Sequence, residues 1–338
     1  MIWPDKRPLR ILVIRYRFVG DTVLAIPFLR NLRRAFPNAI IDVLAEPVSG
    51  DTLAHCPYKN ELLYYGPRLK GERKRQAPFP TSLFASARFL RRRRYDRCYI
   101  LRRAFSSAIL PLLAGIPHRV GFSTEGRHWL LQRGIPYADK HEVECFLDIL
   151  RADDIPVLDS GNENWTDPAV DHRVDASLSD AGRTRVFICA KSVFELKDWA
   201  PERFAEIITW LIRDRHGEVH FCDAPGNAAY YATILAGVPE ALRVHCHDWS
   251  TQLNLREAGS LMRHMQLTFG IDTGFIHIAA SFHVPVVGLY GPLEPRRWHP
   301  WDTRYTIVRP ADVSGPRPVL RISVAEAQAA LEPYLPKP

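Results

Sequence analysis

Two trains of short, β-branched apolar runs, each run followed by a segment of helical periodicity, constrain this chain more than any other feature. Arg10-Ile-Leu-Val-Ile-Arg15 reads as a buried parallel strand, because a strand covered on both faces is apolar throughout rather than alternating. After a break at Phe18-Val-Gly20, residues Leu24, Pro27, Phe28, Leu32 and Phe36 recur at helical spacing, with Arg30, Arg33 and Arg34 on the other face. Pro37-Asn38 stops that helix. Strands are predicted at 40–44, 61–65 and 97–101, with helices across 81–93 and 106–114. A βαβα rhythm of this kind calls for a parallel sheet with helices on both faces.

A second train begins after the polar stretch 153–185, which carries no sustained apolar periodicity. Strands are predicted at 185–190, 218–222, 242–246, 267–271 and 284–290. Helices fit at 201–215, 227–236 and 275–282, with a short last one at 323–334. A chain of 338 residues exceeds what one core organises. The expectation is therefore an α/β protein of two doubly wound domains, 1–165 and 166–338, joined by a linker around 152–185. The last helix can return to pack on the N-terminal domain. Ligands in such folds bind at the carboxyl ends of the strands, here facing a central cleft.

Charge is distributed unevenly. Residues 1–165 hold 27 Lys+Arg against 17 Asp+Glu, whereas residues 166–338 hold 18 against 20. Between 65 and 105 there are 13 basic residues opposed only by Glu72 and Asp96. That asymmetry points to an anionic partner on the N-terminal half, or else to a solvated Arg-rich helix face at Arg91–Arg94. Ser107–Pro117 is too short to span a bilayer, and 270–291 is broken by Asp272, His277 and His283. Met1-Ile-Trp-Pro-Asp-Lys-Arg7 has no apolar core or small-residue cleavage site, so no secretory leader is expected. The six cysteines form no CxxC, and those inside apolar runs, such as Cys189 and Cys222, suit buried thiols in a reducing cytosol.

Three stretches carry chemistry. Val19-Gly20-Asp21-Thr22 falls where the first strand hands over to the first helix. Gly20 suits a tight turn, and Asp21 either caps the helix or projects a carboxylate into the crevice. Lys197-Asp198-Trp199 follows the first strand of the second domain. There an ammonium, with the Ser192 hydroxyl beside it, can meet a phosphate at a helix start, or Lys197 can simply be solvated. Ile271-Asp272-Thr273-Gly274-Phe275-Ile276-His277 runs an apolar strand directly into an apolar helix. The free N–H groups of that helix start form an anion site that Gly274 lets a ligand approach, and His277 lies one turn from Thr273. Caps and a core histidine are the alternative reading. The proline- and tryptophan-rich 289–301 segment reads as a rigid pocket wall or as packing. GxGxxG, GxxxxGK[ST] and HExxH are all absent, which excludes the dinucleotide fingerprint, the P-loop and the zincin site. His245-Cys246-His247 lacks the further ligands a metal needs, and no Asp-x-Asp occurs, so no metal is expected.

In this order these motifs resemble glycosyltransferase family 9, the ADP-heptose:lipopolysaccharide heptosyltransferases. The matching residues are Ile11-Leu-Val-Ile14 with Gly20-Asp21, Pro27 and Leu29-Arg-Asn-Leu-Arg-Arg34; Lys197-x-Trp199-x-Pro-Glu-Arg-Phe-Ala205; and Asp272-Thr-Gly-Phe-Ile-His-Ile-Ala-Ala280 through Val284-Pro-Val-Val-Gly-Leu-Tyr-Gly-Pro292. The resemblance implies a GT-B fold of two Rossmann-like domains, the acceptor on the first and the nucleotide-sugar on the second. It implies an inverting, metal-independent transfer of heptose from ADP-heptose, with no resident cofactor. Asp21 matches the family's general base. Lys197 and Ser192 match donor-phosphate contacts, and Asp272, Thr273, Gly274 and His277 match the donor block. Cys222-Asp-Ala-Pro-Gly-Asn-Ala228 differs from the family's usual glycine-rich strand end with its ribose-binding acid. Gly20, Arg68, Lys70, Arg73 and Arg119 are the candidate contacts for an anionic glycolipid acceptor. A cytoplasmic location, with peripheral contact to the inner membrane, follows from such an acceptor, and no nucleic acid is expected. The competing reading is a non-catalytic binder of nucleotide-sugars or nucleic acid with a basic N-terminal domain.

Overall fold

The structure, a computed structural model, describes residues 7–15, 17–65, 79–80, 82–178 and 182–336. The chain divides into two compact units, Met1–Gly161 and Asn162–Pro338. Each is built around a six-stranded, fully parallel sheet.

The first sheet consists of β1 (Arg10–Ile14), β2 (Ile40–Ala45), β3 (Glu61–Tyr64), β4 (Arg97–Ile100), β5 (His118–Phe122) and β6 (Arg133–Ile135), in the order β3-β2-β1-β4-β5-β6. The second has β7 (Thr184–Cys189), β8 (Gly217–Phe221), β9 (Cys246–Asp248), β10 (Leu267–Ile271), β11 (Val286–Leu289) and β12 (Tyr305–Val308), in the order β12-β11-β10-β7-β8-β9. Counted from its own first strand, each sheet has the same 3-2-1-4-5-6 order. In both, the first strand is central and the chain switches sides next to it. That switch point is where doubly wound sheets bind ligands.

The central strands β1, β7 and β10 are almost wholly buried, as their uninterrupted apolar sequence requires. On one face of the first sheet Leu12, Ile14 and Ile100 pack with Ala87 and Leu90 from the Leu83–Arg92 helix and with Ala108 and Leu110 from the Ser106–Leu113 helix. Ser82 starts the former by accepting from the Ala85 N–H at 3.2 Å. In the second unit Val186, Ile188 and Phe269 pack against Phe204, Ile208 and Leu211 of the Pro201–Asp214 helix. The last helix, Val324–Leu331, carries a Ser323/Glu326 capping box and buries Ala327 and Leu331 in this same core. Gly270 sits at φ 155°, and a Cβ there would fall 1.9 Å from the Cys189 carbonyl oxygen, so β10 can lie against β7 only with glycine at this position. Five of the six cysteines are buried, and burial pushes the Cys189 and Cys222 thiols up to about 12, which keeps them unreactive.

Several elements differ from the sequence reading. Residues 240–245 form a 3₁₀ turn, and the strand predicted at 242–246 begins only at Cys246. Within the polar linker lies a helix, Pro168–Ser177, capped by Asp167; it buries only Val170 and Val174, too few to produce a visible periodicity. Edge strand β6 is largely exposed and β12 only half-buried, and both lack the apolar run that marks a buried strand. The Glu142–Ala152 helix was not anticipated at all. No helix among the described residues is long and apolar enough to cross a membrane.

Candidate functional site

In the N-terminal unit the chain leaves β1 at Ile14 and enters the short Val19–Val23 helix. The reversal is made by Phe18 at φ 67°, not by Gly20, which is buried in the first helical turn. A non-glycine residue in such a conformation costs on the order of 1–3 kcal/mol and persists only where its surroundings enforce it. Asp21 lies in that first turn but caps nothing: no side chain caps this helix. Its partly exposed carboxylate instead pairs with the buried Arg15 guanidinium, whose Nε also donates to the Asp21 carbonyl at 3.4 Å. Arg15 in turn stacks over Phe146 at 5.5 Å.

Phe146 belongs to the Glu142–Ala152 helix, which brings a second carboxylate to the same place. Glu142 is buried and accepts from the Tyr137 hydroxyl, and Arg103 sits 4.2 Å over the Tyr137 ring. Burial first, and then the negative charge of Asp21, push the Glu142 carboxyl above its ordinary value, against the pull of Tyr137, Arg15 and Arg103. The N-terminal candidate site is thus a pair of carboxylates held by two arginines and a tyrosine. Glu142, Tyr137, Arg15 and Arg103 escaped the sequence reading. Two acids in the first turn after His141, with Val143, Phe146, Leu147 and Leu150 behind them, were the available sign of a helix start.

The raised Glu142 pKa has a measurable consequence. The folded state keeps this proton longer than the unfolded chain does, so it binds more protons just above the ordinary value of 4.5, and stability falls as pH rises through that window. Glu142→Gln removes the titration while keeping an acceptor for Tyr137. In urea unfolding from pH 4.5 to 7.5, wild type should lose stability relative to this variant as pH rises. A difference that stays flat with pH would mean Glu142 is not held in this way.

In the C-terminal unit the motif residues converge at the carboxyl ends of neighbouring β7 and β10. Lys197, at the end of the Glu195–Lys197 turn after β7, donates through Nζ to Asp272 Oδ2 at 2.6 Å and to the Asp272 carbonyl at 3.3 Å. Asp272 is buried directly beyond β10. Thr273 then begins the Gly274–Ser281 helix without a side-chain cap, so the first N–H groups keep their capacity for an anion. His277 is buried one turn further on. The Ser192 hydroxyl accepts from the Phe194 N–H at 3.1 Å, and the Ser192 N–H donates to Asp198 at 2.9 Å. Lys191 pairs with the same Asp198. Other residues of the Lys197 block hold the chain together: Trp199 Nε1 donates to the Ile322 carbonyl at 2.9 Å, and Arg203 donates to the carbonyls of Leu320 and Ile322 at 2.6 and 2.7 Å. Asp223, just past β8, accepts from the Ala224 N–H, Asn227 and Tyr231, and the Tyr231 hydroxyl accepts from the Ala190 N–H, which ties the ends of β7 and β8 together.

Arg119 is not brought to Asp21. It sits near the amino end of β5, away from the carboxyl edge, and its buried guanidinium donates to the carbonyls of Leu130 and Ile116. This arginine braces the end of a strand. Arg68, Lys70 and Arg73 lie outside the described residues. Within the arginine run, Arg93 turns inward to Glu61 and Asp42, whereas Arg91, Arg92 and Arg94 are exposed.

Among the described residues one group has the spacing to hold a metal. Glu218, His220 and His247 present ligand atoms within 4.8 Å of one another, so His247 has neighbours the sequence did not reveal. These groups already satisfy one another. Trp249 Nε1 can only donate, and it donates to His220 Nδ1 at 3.1 Å, which leaves the ring proton on Nε2, 3.3 Å from Glu218. Arg185 donates to the same carboxylate oxygen at 2.9 Å, and burial keeps His220 below its ordinary pKa and neutral. A cation taken by His220 Nε2 would have to reverse that tautomer and break the Trp249 hydrogen bond, so the donor set as it stands is not arranged for one.

Comparison with known proteins agrees with the motifs. The profile of the family described as glycosyltransferase family 9 (heptosyltransferase) matches residues 83–318. Lipopolysaccharide heptosyltransferase 2 of Escherichia coli (strain K12) is 30% identical over 325 residues, covering 89% of this chain and 88% of that protein. The structure of E. coli ADP-heptose lps heptosyltransferase II superimposes with a TM-score of 0.79 at 26% identity, over 96% of this chain and 98% of that one. A glycosyl transferase family 9 structure from Veillonella parvula reaches 0.82 at 18% identity, over 96% and 97% of the two chains, a likeness of fold.

Proposed function

The chain belongs to glycosyltransferase family 9, and from that premise we propose that it moves a heptose from ADP-heptose to an anionic lipopolysaccharide-core acceptor, with inversion and without a metal. It is a glycosyltransferase of GT-B fold, and its relatives act in heptose transfer to lipopolysaccharide. One observation carries the finer reading. Each sheet sends from its switch point the charge that one half of the reaction needs: a carboxylate, Asp21, from the N-terminal unit, and an ammonium, Lys197, beside an uncapped helix start in the C-terminal unit.

In this mechanism Asp21, held in place by its ion pair with Arg15, takes the proton from the acceptor hydroxyl as its oxygen bonds to the anomeric carbon. The bond from that carbon to the diphosphate oxygen breaks on the opposite side, and the electron pair leaves with ADP. Single displacement inverts the anomeric centre. Asp272 engages two of the three Lys197 N–H donors, which leaves one for the departing diphosphate, and the N–H groups at the start of the Gly274–Ser281 helix add partial positive charge. Lysine and helix end together do the work that a divalent cation does elsewhere. The acceptor belongs to the N-terminal unit in this reading, the donor to the C-terminal unit.

A donor screen tests it. ADP-heptose should raise the melting temperature, with about 2.7 kcal/mol of stabilisation at roughly 100 times its dissociation constant. It should also be consumed, in the presence of EDTA, when a heptose-deficient lipopolysaccharide is supplied. Stabilisation by a different nucleotide-sugar would overturn the donor assignment, and an absolute requirement for Mg²⁺ or Mn²⁺ would overturn the metal-free mechanism.

A further inference from the structure

Two neighbouring helices of the N-terminal unit present outward faces that their cores do not explain. The Leu83–Arg92 and Ser106–Leu113 helices bury Ala87 and Leu90, and Ala108 and Leu110, on the same side of the first sheet. Phe84, Arg88 and Arg91 are spaced i, i+4, i+7 and form one exposed stripe on the first helix. Phe84 is 77% exposed. On the second helix the solvent side carries Leu112 and Leu113, 37% and 39% exposed, rather than polar residues. At the start of that helix Trp129, 65% exposed, lies 6.2 Å from the Phe105 ring.

A solvated helix face has no use for exposed Phe, Leu and Trp. Here arginines alternate with aromatic and aliphatic side chains. Among the described residues no carboxylate pairs with Arg88 or Arg91, although the neighbouring Arg93 is paired with Glu61. Apolar side chains that enter the headgroup boundary, flanked by guanidinium groups that meet lipid phosphates, are the chemistry of an interfacial membrane contact. Tryptophan is favoured at that depth.

We propose that the outer face of the Leu83–Arg92 and Ser106–Leu113 helices docks the N-terminal unit on an anionic lipid bilayer through Phe84, Leu112, Leu113 and Trp129, with Arg88 and Arg91 binding lipid phosphates. The inference deepens the proposed function, because an acceptor anchored by lipid is met at a bilayer, but vesicle binding needs no sugar chemistry and is tested apart from it.

The full chain should co-sediment with vesicles of phosphatidylglycerol and phosphatidylcholine, weakly or not at all with pure phosphatidylcholine, and less as salt rises. Arg88→Glu with Arg91→Glu should weaken partitioning on the order of 30-fold or more, since each basic residue near such a surface contributes roughly fivefold. Phe84→Ser should lower binding to the anionic vesicles as well, without changing its dependence on salt. Both variants should keep the wild-type melting temperature and full transfer to a deacylated, water-soluble acceptor. Failure of wild type to bind the anionic vesicles overturns the proposal. So does unaltered binding by the double variant, which would place the lipid contact elsewhere on the protein.

Discussion

Asp21→Asn should leave donor affinity unchanged and lower heptose transfer roughly 10²–10⁴-fold, the range general-base catalysis contributes. The amide has the size and shape of the carboxylate but cannot take the acceptor hydroxyl's proton. The substitution also leaves the buried Arg15 guanidinium without its anionic partner, so some loss of stability is expected as well, and two measurements separate the effects. ADP-heptose should still raise the variant's melting temperature by the wild-type amount, because the donor groups lie on the other unit. Turnover should stay low at saturating donor and at temperatures where the variant is fully folded. Glu142 cannot take over the proton, since it is buried, bonded to Tyr137, and inclined by burial to hold a proton of its own. Near-wild-type turnover by Asp21→Asn would reduce Asp21 to the ion-pair partner of Arg15.

What the sequence revealed, and what it hid, follows from how each residue reaches its place. Strands β1, β7 and β10 were legible because burial on both faces demands an unbroken apolar run, and the crossover rhythm then made the sheet parallel. Edge strands such as Arg133–Ile135 meet no such demand and left no trace. Asp21, Lys197 and Asp272 stood out because they follow strand ends at chain positions fixed by local pattern. Their partners did not. Lys197 finds Asp272 across 75 positions, through the pairing of β7 with β10. Glu142 reaches the neighbourhood of Asp21 only because its helix packs Phe146 under Arg15. Charge alone was a weak guide to the acceptor contacts: Arg119, named among the candidates, directs its guanidinium to backbone carbonyls.

Lys197→Ala should reduce turnover on the order of 10²–10³-fold, the loss seen when one preorganised donor to a developing anion is removed. Binding of ADP-heptose should weaken less than turnover falls. The bound diphosphate already carries charge, but negative charge on its departing oxygen grows towards the transition state, and only an interaction stronger there than in the ground state raises kcat. The fall in kcat should therefore persist at saturating donor, and a change confined to KM would mean that Lys197 binds donor and transition state equally. Removing the ammonium also leaves the buried Asp272 carboxylate unpaired at the mouth of the site, where it would repel the diphosphate. Lys197→Ala combined with Asp272→Ala removes that repulsion. The double variant should regain part of the donor affinity and little of the turnover, because the charge that met the leaving group is still missing. Recovery of turnover in the double variant would show that the pair serves to neutralise itself, and that the Gly274–Ser281 helix start alone receives the diphosphate.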